Sequence, residues 1–113
     1  MPNKDRVGTR FNLKIPLRFR PISNPLPAVQ RAESVNVSQH GVYFATDFPL
    51  KVGTPLELFL AMPRELTGRE ETEVHCIARV IHIQRNAFLG NRSGVGVHIE
   101  RYESVSTPEG RVS

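Results

Sequence analysis

The 113-residue sequence predicts an all-β fold, a small six-stranded antiparallel β-barrel. Apolar residues recur at every second position in several short runs, and Gly, Pro, Asn and Ser punctuate the gaps between them. No stretch carries a convincing helical periodicity, and internal repeats and low-complexity tracts are absent.

The first strand is the most regular. Phe11, Leu13, Ile15, Leu17 and Phe19 alternate with Asn12, Lys14, Pro16, Arg18 and Arg20, the period of a half-buried strand. Pro16 on the outward set predicts an edge position or a bulge, because proline cannot donate to a ladder. A loop with Pro21, Pro25 and Pro27 follows. The second strand is expected over 32–37 and the third over 42–45. The turn Ser38-Gln39-His40-Gly41 joins them into a hairpin, with Gly41 free to take positive φ.

Val52-Gly53-Thr54-Pro55 leads into a fourth strand marked by Leu56, Leu58 and Leu60. The charged segment 64–73 reads as an exposed loop. Residues 74–83 form the longest apolar run, with Val74, Cys76, Ala78 and Val80 on one face and His75, Ile77, Arg79 and Ile81 on the other. Apolar residues on both faces predict a central strand. In the last strand, 94–100, Val95, Val97 and Ile99 alternate with Gly94, Gly96 and His98. The expected organisation is a flexible arginine-bearing arm over 1–10, the barrel over 11–103 and a frayed tail over 104–113.

Charge points either to an anionic partner or to a solubilising basic face. The net charge is +4, and twelve of the fifteen cations are arginines. Lys4, Arg6, Arg10, Lys14, Arg18 and Arg20 crowd the first twenty residues against Asp5 alone. The guanidinium fork suits phosphates and the Hoogsteen edge of guanine. Cys76, the single cysteine, cannot form an internal disulfide and reads as a buried thiol in a reducing compartment. With no apolar run long enough for a membrane span or a signal peptide, the expectation is a cytoplasmic protein without membrane insertion.

Catalysis is not expected. His40, His75, His82 and His98 are scattered without the spacing of a metal site. No serine lies in a nucleophile elbow, and Gly94-Val95-Gly96 opens no helix, so it is no dinucleotide fingerprint. The reading is a binding module with no cofactor, no metal and no catalytic residue.

Two elements stand out. Arg6-Val7-Gly8-Thr9-Arg10 sets two arginines around a glycine just before the first strand. Asn36-Val37-Ser38-Gln39-His40-Gly41 spans a strand end and a turn. Asn36 and Ser38, two apart, are expected to share one strand face, opposite Val35 and Val37. Taken alone, the first element reads rather as a disordered basic tail, and the second as a turn in which Ser38 caps a backbone group.

Together and in this order the elements resemble the PilZ family of cyclic di-GMP receptors, with its Arg-x-x-x-Arg and Asp/Asn-x-Ser-x-x-Gly motifs. The resemblance extends to Gly41-Val42-Tyr43-Phe44, the Val52–Pro55 turn and Gly94-Val95-Gly96-Val97. It implies a PilZ-like barrel of the split-barrel type that binds cyclic di-GMP through Arg6, Arg10, Asn36, Ser38 and Gly41. The arginines would meet phosphates or guanine, Asn36 the guanine Watson–Crick edge, and Ser38 guanine or phosphate. Gly41 would let the backbone turn beneath the ligand. The arm would order on binding and signal to a downstream protein partner. Asn36 stands where acidic members carry Asp, and Asp5 where some carry a further arginine. Two other readings are a PilZ-type protein adaptor without nucleotide and a basic barrel for single-stranded nucleic acid. The intact motifs argue against the first. Phe11 and Phe19, in register with core positions, argue against the second.

Overall fold

A computed structural model describes residues 12–64, 68 and 72–106. The strands are β1 (Pro16–Pro21), β2 (Gln30–Val37), β3 (Gly41–Thr46), β4 (Pro55–Met62), β5 (Thr72–Phe88) and β6 (Arg92–Ser106). They form a closed antiparallel barrel in the order β1-β2-β3-β6-β5-β4. The all-β barrel expected from the alternation is therefore observed. Its halves, β1–β2–β3 and β4–β5–β6, are each a three-stranded meander, joined edge to edge by the β3–β6 and β1–β4 pairings. Closure leaves no unpaired edge along these seams.

Period-two alternation places one side of each strand inside. Leu17 and Phe19 of β1, Val42 and Phe44 of β3, Leu56, Leu58 and Leu60 of β4, and Val95, Val97 and Ile99 of β6 are all buried. The Phe19 and Phe44 rings lie 5.0 Å apart, and Phe48 meets Phe19 edge-on at 5.9 Å. Val74, Cys76, Ala78 and Val80 fill the β5 side. Burial pushes the Cys76 thiol up to about 11. Among the described residues no helix is long and apolar enough to cross a membrane.

Several local expectations change. The barrel is closed, so Pro16 lies at no edge. It opens β1 opposite Glu33, a strand-initial position where a missing N–H is tolerated. β5 is not buried on both faces: Ile81 on its outer side is 58% exposed, because a barrel has one interior. The segment between β5 and β6 is also shorter than expected. The ladder runs on to Phe88↔Arg92, and the breaks in alternation there coincide with positive φ at Asn86, Gly90 and Asn91. β6 continues to Ser106, and residues 104–106 pair with β5. The arm and residues 107–113 lie outside the described residues.

The buried Ser34 ties the chain entering β1 to β2. Its backbone N–H donates to the Ile15 carbonyl at 3.0 Å, and its Oγ accepts from the Ile15 N–H at 2.9 Å while donating to the Leu13 carbonyl.

Candidate functional site

An open depression of about 520 Å³ lies on the outer surface of β2, β3, β6 and β5. Asn36, Ser38, His40, Gly41, Tyr43, His82, Gln84, Gly96 and His98 are among the residues that line it. The structure thus brings together the three described members of the expected ligand set, Asn36, Ser38 and Gly41. Arg6 and Arg10 lie outside the described residues.

Two β-bulges aim side chains into this depression. Strict alternation from the buried Ser34 would turn Asn36 into the core. Instead the β2–β3 register runs Ser34↔Phe44 then Asn36↔Tyr43, with Val35 as the extra residue. Asn36 therefore emerges on the outer face while Val37 returns to the interior. Val35 and Val37 do not share a buried face, contrary to the sequence expectation, because the bulge absorbs Val35. On β5 the register runs Val80↔Val97 then His82↔Gly96, with Ile81 as the extra residue, so His82 also faces outward. Bulges recur beside functional sites because they re-aim side chains in this way.

Two glycines set how closely the strands beside the depression pack. A Cβ on Gly41 would lie 2.5 Å from the Val97 carbonyl oxygen across the β3–β6 seam. That close backbone approach is what requires glycine here. Gly41 is absent from the positive-φ glycines, so the turn conformation expected from sequence is not the reason. A Cβ on Gly94 would overlap the Tyr43 phenol, which crosses β6 and donates to the Gln84 Oε1 at 3.2 Å.

The turn between β2 and β3 is closed by the Ser38 N–H, which donates to the Gly41 carbonyl at 2.9 Å. Ser38 Oγ accepts from the His40 N–H at 3.2 Å, the capping role that sequence left open. Its hydroxyl hydrogen is not used in that bond. The Asn36 amide makes no hydrogen bond to another described residue. Among the described lining residues there is no Lys, Arg, Asp or Glu.

Sequence reasoning missed His82, His98, Tyr43, Gln84 and Gly96 as neighbours of the motif. Their alignment follows from pairing between distant strands: Asn36↔Tyr43, Tyr43↔Gly96 and Gly96↔His82 form one row across the sheet. The buried Ser34 was not singled out, because alternation with Val35 and Val37 assigns it to the polar face until the bulge is known. His75, on another face, bonds Glu57 at 2.8 Å and stacks on Phe59 with ring centroids 4.5 Å apart. Among the described residues no group of three His, Cys, Asp or Glu could hold a metal ion.

No family model matches the sequence, and no curated protein matches it. Solved structures are similar in fold. The Bacillus subtilis inhibitor of motility, MotI/DgrA, aligns at TM-score 0.70 and 16% identity over 92% of this chain and 50% of that one, so this chain spans half its length. The PilZ domain of YcgR from Escherichia coli, solved with c-di-GMP, aligns at TM-score 0.60 and 12% identity over 89% of this chain and 79% of that one. The PilZ domain of CeSA from a cellulose-synthesizing bacterium aligns at TM-score 0.52 and 16% identity, covering 80% of this chain and 79% of that one. With its closed six-stranded order and these neighbours, the chain has the fold of a PilZ domain.

Proposed function

We propose that this chain is a non-enzymatic cyclic di-GMP receptor. The observation that carries the reading is the convergence of Asn36, Ser38 and Gly41 in one open depression of a PilZ-type barrel. The PilZ domain of YcgR, which shares that fold, was solved with c-di-GMP.

The ligand presents two guanines and two phosphodiesters. Asn36, whose amide is unspent among the described residues, meets the Watson–Crick edge of a guanine. Ser38 donates its hydroxyl hydrogen to a guanine or phosphate oxygen while Oγ holds the turn. Gly41 lets β3 and β6 approach closely beneath the ligand. Arg6 and Arg10 supply the cationic forks that the described lining lacks. Chain connectivity supports this assignment. Leu13 is tied to Ser34, and the three residues from Arg10 to Leu13 span at most about 11 Å.

In this reading, residues 1–10 are a switch segment that closes over the ligand and creates a surface for a downstream protein in motility, biofilm or exopolysaccharide control. The rest of the barrel is its platform, and the protein works in the cytoplasm. Calorimetric titration with cyclic di-GMP, against GTP and a random oligonucleotide, tests the assignment. Saturable binding of the dinucleotide alone is expected, weakened by about 1–3 kcal/mol in Arg6→Ala and in Arg10→Ala. Absence of binding, or equal binding to the oligonucleotide, refutes it.

A further inference from the structure

Three imidazoles face the depression that holds Asn36, Ser38 and Gly41. His40 comes from the β2–β3 turn, His82 from β5 and His98 from β6, and all three side chains are exposed. The row Asn36–Tyr43–Gly96–His82 crosses three inter-strand gaps, about 14 Å at the usual strand spacing. His98 lies in the next row, between Gly41 and Arg79. A ligand with one base at Asn36 and its body over Tyr43 and Gly96 therefore meets His82 at the far end of the row and His98 beside it. Among the described residues no three His, Cys, Asp or Glu side chains converge.

We propose that His82 and His98, with His40 at the near edge, form a second, titratable wall of the cyclic di-GMP site, contacting its phosphodiesters so that acidification tightens binding. The inference rests on the cyclic di-GMP reading above. Histidine gains its charge between pH 8 and pH 5, whereas a phosphodiester stays anionic throughout that window. Each imidazolium then makes a charge-assisted hydrogen bond that the neutral ring makes only weakly. The bound state takes up protons more readily than the free state, so affinity rises as pH falls.

The neighbouring charges do not substitute for this change. Arg79 of β5, beside His98, donates through Nε to Glu100 of β6 at 2.8 Å and through a terminal nitrogen to the Gly53 carbonyl at 2.8 Å. That hydrogen bond holds the Glu100 carboxyl below its usual range, with the charges of Arg79, His98 and Arg101 adding to it. The Arg79–Glu100 pair therefore stays ionised across the histidine window. β2 and β3 present the uncharged Asn36 and the phenol of Tyr43 to the site. Glu33 lies further along β2 and Arg85 further along β5.

The test is calorimetric titration of the full chain with cyclic di-GMP across pH 5 to 8, for the parent, His82→Gln, His98→Gln and the double variant. The parent is expected to bind about tenfold more tightly at the acid end, the scale of one pKa unit of coupling. In the double variant that difference collapses to about twofold, and proton uptake, read from buffers of different ionisation enthalpy, falls with it. All these side chains are exposed, so the replacements leave the core intact, which a thermal melt verifies. A flat profile in the parent, or an unchanged profile in the double variant, overturns the histidine wall alone. A parent that binds at no pH overturns the receptor reading and this inference together.

Discussion

Replacing Gly41 by alanine probes the seam on which the candidate site is built. The added Cβ would sit 2.5 Å from the Val97 carbonyl oxygen, against a practical minimum of 3.0 Å, so the strands must part by at least 0.5 Å. The obstacle is backbone, and no side chain can swing aside to relieve it. Two hydrogen bonds end at the same place: the Ile99 N–H to the His40 carbonyl at 2.8 Å, and the Ser38 N–H to the Gly41 carbonyl at 2.9 Å. Loosening both, at about 1–2 kcal/mol each, the lower part of the cost of a group left unpaired, gives a loss of about 2–4 kcal/mol. With a urea m-value of about 2 kcal/mol/M the unfolding midpoint should fall by about 1–2 M. Equilibrium urea unfolding followed by circular dichroism measures this. Gly96→Ala is the control, because its Cβ would meet only ordinary contacts at 3.6 Å and beyond. A Gly41→Ala midpoint within about 0.3 M of the parent would refute the argument that close approach dictates this glycine.

Ser34→Ala should cost about 2–3 kcal/mol in the same assay, because it strands the buried Ile15 N–H and frees the Leu13 carbonyl; a neutral result would mean that water replaces the hydroxyl. Asn36→Asp should preserve or tighten cyclic di-GMP binding, since a carboxylate accepts from N1–H and N2–H of guanine together; a clear calorimetric loss with the fold intact would point the side chain at phosphate instead. Burial pushes the Glu57 carboxyl up, but hydrogen bonds and charge from Arg20 and His75 outweigh it and hold the group below 4.5. The folded carboxyl thus binds its proton less readily than the unfolded one. Its contribution to stability is present above about pH 4.5 and is lost as pH falls through the folded value, so melting temperatures of the parent and Glu57→Gln should converge on acidification. Cys76 is fully buried with its thiol pushed up to about 11, so a thiol reagent at neutral pH should label it only through opening of the barrel; fast labelling of the folded protein would contradict that burial.

The strands were legible because the inward residues alternate cleanly: Leu17 and Phe19, Leu56 to Leu60, and Val95 to Ile99 all lie where the period placed them. The bulges were not. An extra residue at Val35 or Ile81 leaves the local pattern readable in either register, and only the partner strand shows which residue is surplus. That is why Asn36 was rightly sent outward but with the wrong neighbour opposite, and why His82 was not connected to the motif. Tyr43 and Gly94 fall on the same principle, since a tyrosine and a glycine about fifty positions apart signal nothing until β3 and β6 pair. The Asn-Ser-Gly motif was legible as a motif, whereas the reason for its glycine was not.

The two seams of the barrel also shape how it comes apart. Each meander closes through local hairpin connections, but β3–β6 and β1–β4 join residues from opposite halves of the sequence, the contacts whose loop-closure entropy is greatest. The depression lies across one of those seams, with Asn36, Ser38 and Gly41 on the first half and His82 and His98 on the second. Whatever occupies it acts as a clasp between the halves, so occupancy should appear as slower unzipping along β3–β6 and much less along β1–β4.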